Sequence, residues 1–201
     1  FGWSVAVSGD VAVVGAIYED QQGTNAGAAY VYNRTGTIWT EQKKLTAYDG
    51  YNSDYFGQSV AVSGNTALVG AYYDDDRGGN SGSAYVFTRS GTAWGLQRKL
   101  TASDGGSSDY YGFAVALHNN TAVIGAYLED QRAGNAGSAY VYARTGNSWA
   151  VQGKLTASDG QGSDYFGHAV SVSGDLAAIG AYAEDQRGGD SGAAYIFARS
   201  G

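Results

Sequence analysis

The sequence predicts an all-β fold assembled from four copies of one four-stranded unit, and three observations predict it. Aromatic-glycine pairs begin at residues 1, 56, 111 and 166, an interval of 55 residues each time. Within each interval, short stretches alternate apolar and polar residues with the period of two of a half-buried strand. The 201 residues include 32 glycines and no proline, without a Gly-X-Y period, which is the composition of many tight turns between short strands. A period this long calls for repeat logic before any other.

The first repeat shows each element in turn. Trp3 to Ser8 sets Val5 and Val7 against Ser4, Ala6 and Ser8, the pattern of a strand with one buried face. Gly9-Asp10 is a two-residue hairpin turn. Val11 to Ala16 is apolar on both faces and reads as a central strand. A polar loop, Tyr18 to Gly27, leads to Ala28–Arg34, whose aromatics suit a pleated surface. Thr35-Gly36 turns the chain into Ile38–Thr46, which carries charge on alternate positions as an outer edge strand does. No stretch of useful length has a helical period. The junction Asp49–Val62 links one repeat to the next, with two carboxylates in its turn and Ser-Val-Ala-Val opening the following strand.

Four antiparallel strands per repeat is the plan of a β-propeller blade; linear β-solenoids use shorter repeats. The expected fold is an all-β β-propeller built from four 55-residue four-stranded blades, the last incomplete. It forms a single domain over 1–201, with repeats 1–55, 56–110, 111–165 and 166–201. The fourth repeat reaches Arg199-Ser200-Gly201 without its Trp-containing fourth strand, so Gly192 to Arg199 is expected to present an unpaired edge. Self-association that completes the propeller, or further blades of a larger ring, is the corresponding expectation. With no methionine, the chain reads as an excerpt or a processed product.

Phe1-Gly2…Val14-Gly15-Ala16, Phe56-Gly57…Val69-Gly70-Ala71, Tyr111-Gly112…Ile124-Gly125-Ala126 and Phe166-Gly167…Ile179-Gly180-Ala181 together resemble the FG-GAP repeat of integrin α-chain propellers. With the recurrent Lys-Leu-Thr-Ala at 44–47, 99–102 and 154–157, the chain is similar to FG-GAP proteins of bacterial surface and secreted type. The resemblance implies a non-enzymatic binding or adhesion scaffold, extracellular or at the cell surface. Two features depart from the family. Ile17, Tyr72, Tyr127 and Tyr182 replace the proline after Gly-Ala, and short turns such as Ser8-Gly9-Asp10 replace the Asp-rich calcium loop. Calcium at the family's usual site is therefore not carried over.

The net charge of −7 without basic clusters argues against nucleic acid and anionic membranes, and no apolar run is long enough to span a bilayer. Without cysteine there is neither a disulfide framework nor a thiolate metal site. Of 19 acidic residues, 16 lie in the second-to-third loops and the junctions, which open on one face, accompanied by Arg77, Arg132 and Arg187. Tyrosines stand at the entrance to these loops. The candidate ligand face is Tyr18, Glu19 and Asp20; Tyr73, Asp74 and Asp75; Tyr127, Glu129 and Asp130; and Tyr182, Glu184 and Asp185. Rings beside carboxylates suit a protein or a glycan ligand. Asp49, Asp54, Asp104, Asp109, Asp159 and Asp164 are candidate Ca²⁺ ligands, set against the alternative that Asp-Gly and Ser-Asp simply build Asx turns. Tyr55, Phe56, Tyr110, Tyr111, Tyr165 and Phe166 are read as packing between blades. His118 and His168 have no spaced partner, and no nucleophile elbow, phosphate loop or His-Glu zinc pattern occurs, so no catalytic residue is assigned. A lectin-like propeller and an accessory domain of a larger extracellular enzyme are the rival readings.

Overall fold

The computed structural model describes residues 1–200. Fifteen strands form four antiparallel sheets, each hydrogen-bonded in chain order. The first sheet holds β1 (Val5–Ser8), β2 (Val11–Ala16), β3 (Ala28–Thr35) and β4 (Ile38–Leu45). The second holds β5 (Ser59–Ser63), β6 (Thr66–Ala71), β7 (Ser83–Ser90) and β8 (Ala93–Leu100). The third holds β9 (Ala114–His118), β10 (Thr121–Ala126), β11 (Ser138–Thr145) and β12 (Ser148–Leu155). The fourth has three strands, β13 (Phe166–Ser173), β14 (Leu176–Ala181) and β15 (Ala193–Ala198). Among the described residues there is no helix. Four such sheets are consistent with four propeller blades.

The strands fall where the residue pattern puts them. The apolar Val11–Ala16 and its counterparts are interior strands, and β6 and β10 are buried along their whole length. The charged fourth strands lie at sheet edges. Trp3 lies outside β1 because its N–H and that of Gly2 both donate to Gly15 O, at 3.0 and 2.9 Å, instead of continuing the ladder.

Successive sheets pack face to face through three apolar clusters. Val13, Val31 and Leu45 meet Phe56, Val60 and Val69 between the first and second sheets. Leu68, Val86 and Leu100 meet Tyr111, Ile124 and Trp149 between the second and third. Val123 and Ala139 meet Phe166 and Ile179 between the third and fourth. The first strands of the sheets approach one another closely, β1 to β5, β5 to β9 and β9 to β13, whereas β4 and β8 barely touch. The sheets therefore converge on their first strands and splay at their fourth.

The repeat signature is the lock between sheets. Phe56 N–H donates to Ala26 O at 2.9 Å, Tyr111 N–H to Ser81 O at 3.0 Å and Phe166 N–H to Ala136 O at 2.9 Å. Each of these rings is fully buried. The glycine that follows has positive φ, +92° at Gly57, and its carbonyl lies against the Val-Gly-Ala glycine of the preceding sheet. A Cβ on Gly70 would collide with Gly112 O, and one on Gly15 with Gly57 O. Ser4 and Ser59 hydroxyls donate to the same carbonyls, at 2.7 and 2.8 Å.

Candidate binding face

The loops that follow the second strands and the junctions between sheets gather at one end of the molecule. Their carboxylates sort into three kinds. The first acid of each loop, Glu19, Asp74, Glu129 or Glu184, turns inward. Asp74, Glu129 and Glu184 are buried. Three of them meet a lysine from the end of the same sheet's fourth strand: Lys44 with Glu19 at 2.6 Å, Lys99 with Asp74 at 2.8 Å, and Lys154 with Glu129 at 3.1 Å. The junction carboxylates join the same networks from the neighbouring sheet, Asp49 to Lys99 at 2.8 Å and Asp104 to Lys154 at 2.7 Å.

Tyrosines of the third strands complete these networks. The Tyr85 hydroxyl lies 2.8 Å from an oxygen of both Asp49 and Asp74 and donates to one of them. Tyr140 donates to Asp104 and Tyr195 to Asp159, each at 2.7 Å. Burial alone would raise the Asp49 carboxyl; hydrogen bonds from Lys99 and Tyr85 outweigh it and hold the group below the usual carboxylate range. Asp104 is lowered in the same way by Lys154 and Tyr140. Oxygens of Asp49, Asp74 and Asp76 lie within 4.8 Å of one another, a spacing that suits a cation. The Lys99 ammonium occupies that position, within 2.8 Å of all three residues.

The second junction carboxylates do something different. Asp54, Asp109 and Asp164 are buried and accept the backbone N–H three residues earlier, from Tyr51 at 2.7 Å, Gly106 at 2.7 Å and Gln161 at 2.6 Å. Each carboxylate thus closes its junction loop backward along the chain, a local turn role different from the Asx turn, in which the side chain accepts from two residues further on. Burial, with smaller contributions from the charges of Asp74 and Asp75, pushes Asp54 up to about 6. Asp109 is also raised, again chiefly by burial.

The second acid of each loop, Asp20, Asp75, Asp130 or Asp185, faces solvent. Asp20 accepts the N–H of Asn25 and Asp75 that of Asn80, both at 2.7 Å, leaving their outer oxygens open.

Beside these acids runs a belt of rings across all four sheets. Trp3 meets Tyr18 at 6.2 Å between centroids, and Tyr18 meets Tyr55 at 6.0 Å. Tyr55 then meets Tyr73 at 5.3 Å, and Tyr73 meets Tyr110 at 4.9 Å. Tyr110 meets Tyr127 at 5.7 Å, and Tyr127 meets Tyr165 at 6.0 Å. Tyr165 stacks on Tyr182 with centroids 4.9 Å apart and planes 7° from parallel. Tyr72, Phe113 and His168 thicken the belt, His168 lying 4.6 Å from Tyr182. Burial lowers His168 and pushes Tyr127 up to about 12, so the imidazole favours its neutral form and the phenol keeps its proton. Gln58, at the corresponding position of the second repeat, buries its Oε1 without a partner.

The structure thus separates residues that look equivalent in the sequence. Phe56, Tyr111 and Phe166 are core, but Tyr55, Tyr110 and Tyr165 are half-buried belt members. These three also have positive φ, +52°, +58° and +58°. A bulky residue in that region is a genuine outlier, and recurrence in three repeats marks a conformation held by its surroundings. Trp3, Phe113 and His168 share one repeat position, and the structure places all three in the belt. Lys44, Lys99 and Lys154 were missed, because they belong to the fourth strands and reach this face only in three dimensions.

The FG-GAP repeat model matches residues 1–32, 39–87, 94–142 and 149–197. The chain belongs to the FG-GAP repeat family. FG-GAP repeats are generally non-catalytic and are typical of extracellular proteins. Among solved structures, the crystal structure of Saccharomyces cerevisiae Sqt1 is similar at TM-score 0.50 and 11% identity, covering 89% of this chain and 41% of that one. The likeness concerns the fold alone, and the chain spans well under half of that structure's length. No curated protein matches the sequence. No helix among the described residues is long and apolar enough to cross a membrane.

Proposed function

We propose that this FG-GAP protein is a non-enzymatic β-propeller scaffold of secreted or cell-surface type, which binds a protein ligand through its loop face. The observation that carries the reading is the continuous aromatic belt flanked by the exposed carboxylates Asp20, Asp75, Asp130 and Asp185. Tyrosine offers large, stiff contact area with a hydroxyl at its rim, and interfaces are enriched in it for that reason. Three of the four inward acids, Glu19, Asp74 and Glu129, are neutralised by lysines and hold their loops; the outward acids favour a partner with a basic surface and make association salt-dependent.

A glycan ligand is the second reading, supported by exposed rings such as Tyr18 and Tyr182 beside carboxylates.

The test is surface plasmon resonance against a panel of extracellular-matrix proteins, with a glycan array run in parallel. Binding should weaken at least about tenfold in a Tyr18→Ala/Tyr182→Ala variant, and should fall as salt is raised. Binding indifferent to these changes would move the site off this face. Hits confined to the array would favour the glycan reading.

A further inference from the structure

The end of the molecule opposite the loop face is built from hairpin turns, and one contact recurs there in every sheet. An arginine near the end of the third strand donates its Nε–H to the last residue of the first turn: Arg34 to Asp10, Arg89 to Asn65, Arg144 to Asn120 and Arg199 to Asp175. The geometry is shared, but the charge is not. Asp10 and Asp175 neutralise their arginines. Asn65 and Asn120 accept the same bond without a charge, so Arg89 and Arg144 keep theirs; neither forms an ion pair among the described residues.

These two charges face one groove. Arg89 is held by Asn65, and Arg144 reaches across from the third sheet to the next residue, Thr66, donating to its hydroxyl at 2.9 Å. The two arginines therefore flank a single turn. The groove between the second and third sheets has a volume of about 990 Å³ and carries no carboxylate in its lining. Nor does any apolar side chain line it: the arginines stand among glycines, hydroxyls and side-chain amides, those of Asn119, Asn147 and Gln97 included.

Both guanidiniums are fixed in place by the protein itself. Arg89 lies 5.8 Å from the ring centroid of the buried Trp94, and Arg144 lies 5.5 Å from that of the buried Trp149. Each is half-buried, so solvent and salt screen it less than a free surface charge. Arg89 bonds Asn65 and Asn33, and Arg144 bonds Asn120 and Thr66, which leaves N–H groups of both forks unused. A planar fork held this way suits an oxyanion, and little side-chain freedom is left to lose on binding.

The rest of the lining indicates what carries the anion. Peptide-binding grooves offer pockets for side chains, and this one has no apolar wall to form them. Amides and hydroxyls present donors and acceptors side by side, as the hydroxyl groups of a sugar require. We propose that the groove between the second and third sheets binds an acidic oligosaccharide, with its carboxylate or sulfate groups on Arg89 and Arg144 and its hydroxyls on the amides. The site lies at the opposite end from the aromatic belt and does not depend on it.

Replacing the two asparagines tests the assignment without dismantling the contact. Asn65→Asp with Asn120→Asp gives Arg89 and Arg144 the partner that Arg34 and Arg199 already have, keeping the hydrogen bonds and removing the free charge. Isothermal titration calorimetry would use the 201-residue chain with hexagalacturonate, sulfated maltohexaose and neutral maltohexaose. Expected are saturable binding of an acidic sugar that weakens as salt is raised, and no binding of the neutral one. Binding of hexagalacturonate would assign the site to carboxylates; binding of the sulfated sugar alone would assign it to sulfates. The Asn65→Asp/Asn120→Asp variant should bind at least about tenfold more weakly. A Tyr18→Ala/Tyr182→Ala variant should bind as the parent does, which separates this site from the loop face. The proposal would be overturned by no saturation with either acidic sugar up to millimolar concentration, by equal affinity in the double Asp variant, or by equally tight binding of a hexaglutamate peptide.

Discussion

Asp54 and Lys99 show how much a single charge is worth on this face. Asp54 is held near 6 by burial, above the value it takes when unfolded, so the folded protein binds a proton more readily between about pH 4 and 6. Its contribution is therefore present below pH 4 and is lost as pH rises through about 6, to the extent of about 1–3 kcal/mol. Asp49 and Asp104 are shifted the other way and withdraw stability only as pH falls below the ordinary carboxylate range. Burial of His168 opposes the Asp54 trend near neutrality, since its lowered pKa favours the folded state as pH rises. Urea denaturation in a His168→Gln background should show stability falling from pH 4 to 6.5, and adding Asp54→Asn should flatten that slope. An unchanged slope would remove the assignment. Lys99 touches two carboxylates that are largely buried, so Lys99→Met should cost about 3 kcal/mol in the same assay at pH 7. With the ammonium standing among Asp49, Asp74 and Asp76, millimolar Ca²⁺ should leave the melting temperature of the parent protein unchanged. These networks could not be read in one dimension, because Asp49 and its lysine are 50 residues apart and belong to different sheets. That Asp54 has a local turn role was legible in Ser53-Asp54, but its partner, the Tyr51 N–H three residues earlier, was not.

At the scale of the element, the strands were legible because patterning and burial agree: β6 and β10 are apolar on both faces and are buried on both. The sheet-to-sheet lock was visible only as a motif, since the reason for Phe-Gly and Val-Gly-Ala is the approach of two backbones 40 or more residues apart. That approach gives a sharp contrast between glycines. At Gly70 an added Cβ meets Gly112 O, and backbone on both sides cannot yield. Gly91 needs its positive φ of 61° but has open space around it. Gly70→Ala should therefore cost about 2–4 kcal/mol, whereas Gly91→Ala should cost about 1 kcal/mol, read as a shift in urea midpoint with unchanged slope. Comparable losses at the two positions would mean that conformational strain, and not the sheet contact, explains the conserved spacing of the signature within this chain. The belt was legible in part: its tyrosines stood out by number, but the split between core Phe56 and exposed-side Tyr55 depends on a left-handed residue that no local pattern announces.

For the whole molecule, the open question is what covers the two outer faces of the stack. On the first sheet Phe1, Val5 and Val7 are 75%, 71% and 67% exposed, whereas their counterparts on the second sheet, Phe56, Val60 and Val62, are buried against the first. On the far side of the fourth sheet Ile196 is 66% exposed, and its counterpart Val86 is buried against the third. One outer face thus has the chemistry of every front in the stack, and the other that of every back. They complement each other in the manner of the three internal contacts, so each fits a further sheet of the same kind, from the same chain or from a second copy, and we propose that the 201-residue chain taken alone pairs front to back. Such a heterologous contact either closes or continues indefinitely, and the convergence of the first strands favours closure. Sedimentation equilibrium across micromolar concentrations should therefore report a species of twice the chain mass. Val5→Asp with Val7→Asp should reduce it to the monomer while leaving the melting temperature of the monomeric unit unchanged, because both side chains already face solvent there. A parent protein that is monomeric throughout, or a double variant that still assembles, would assign these faces to another partner.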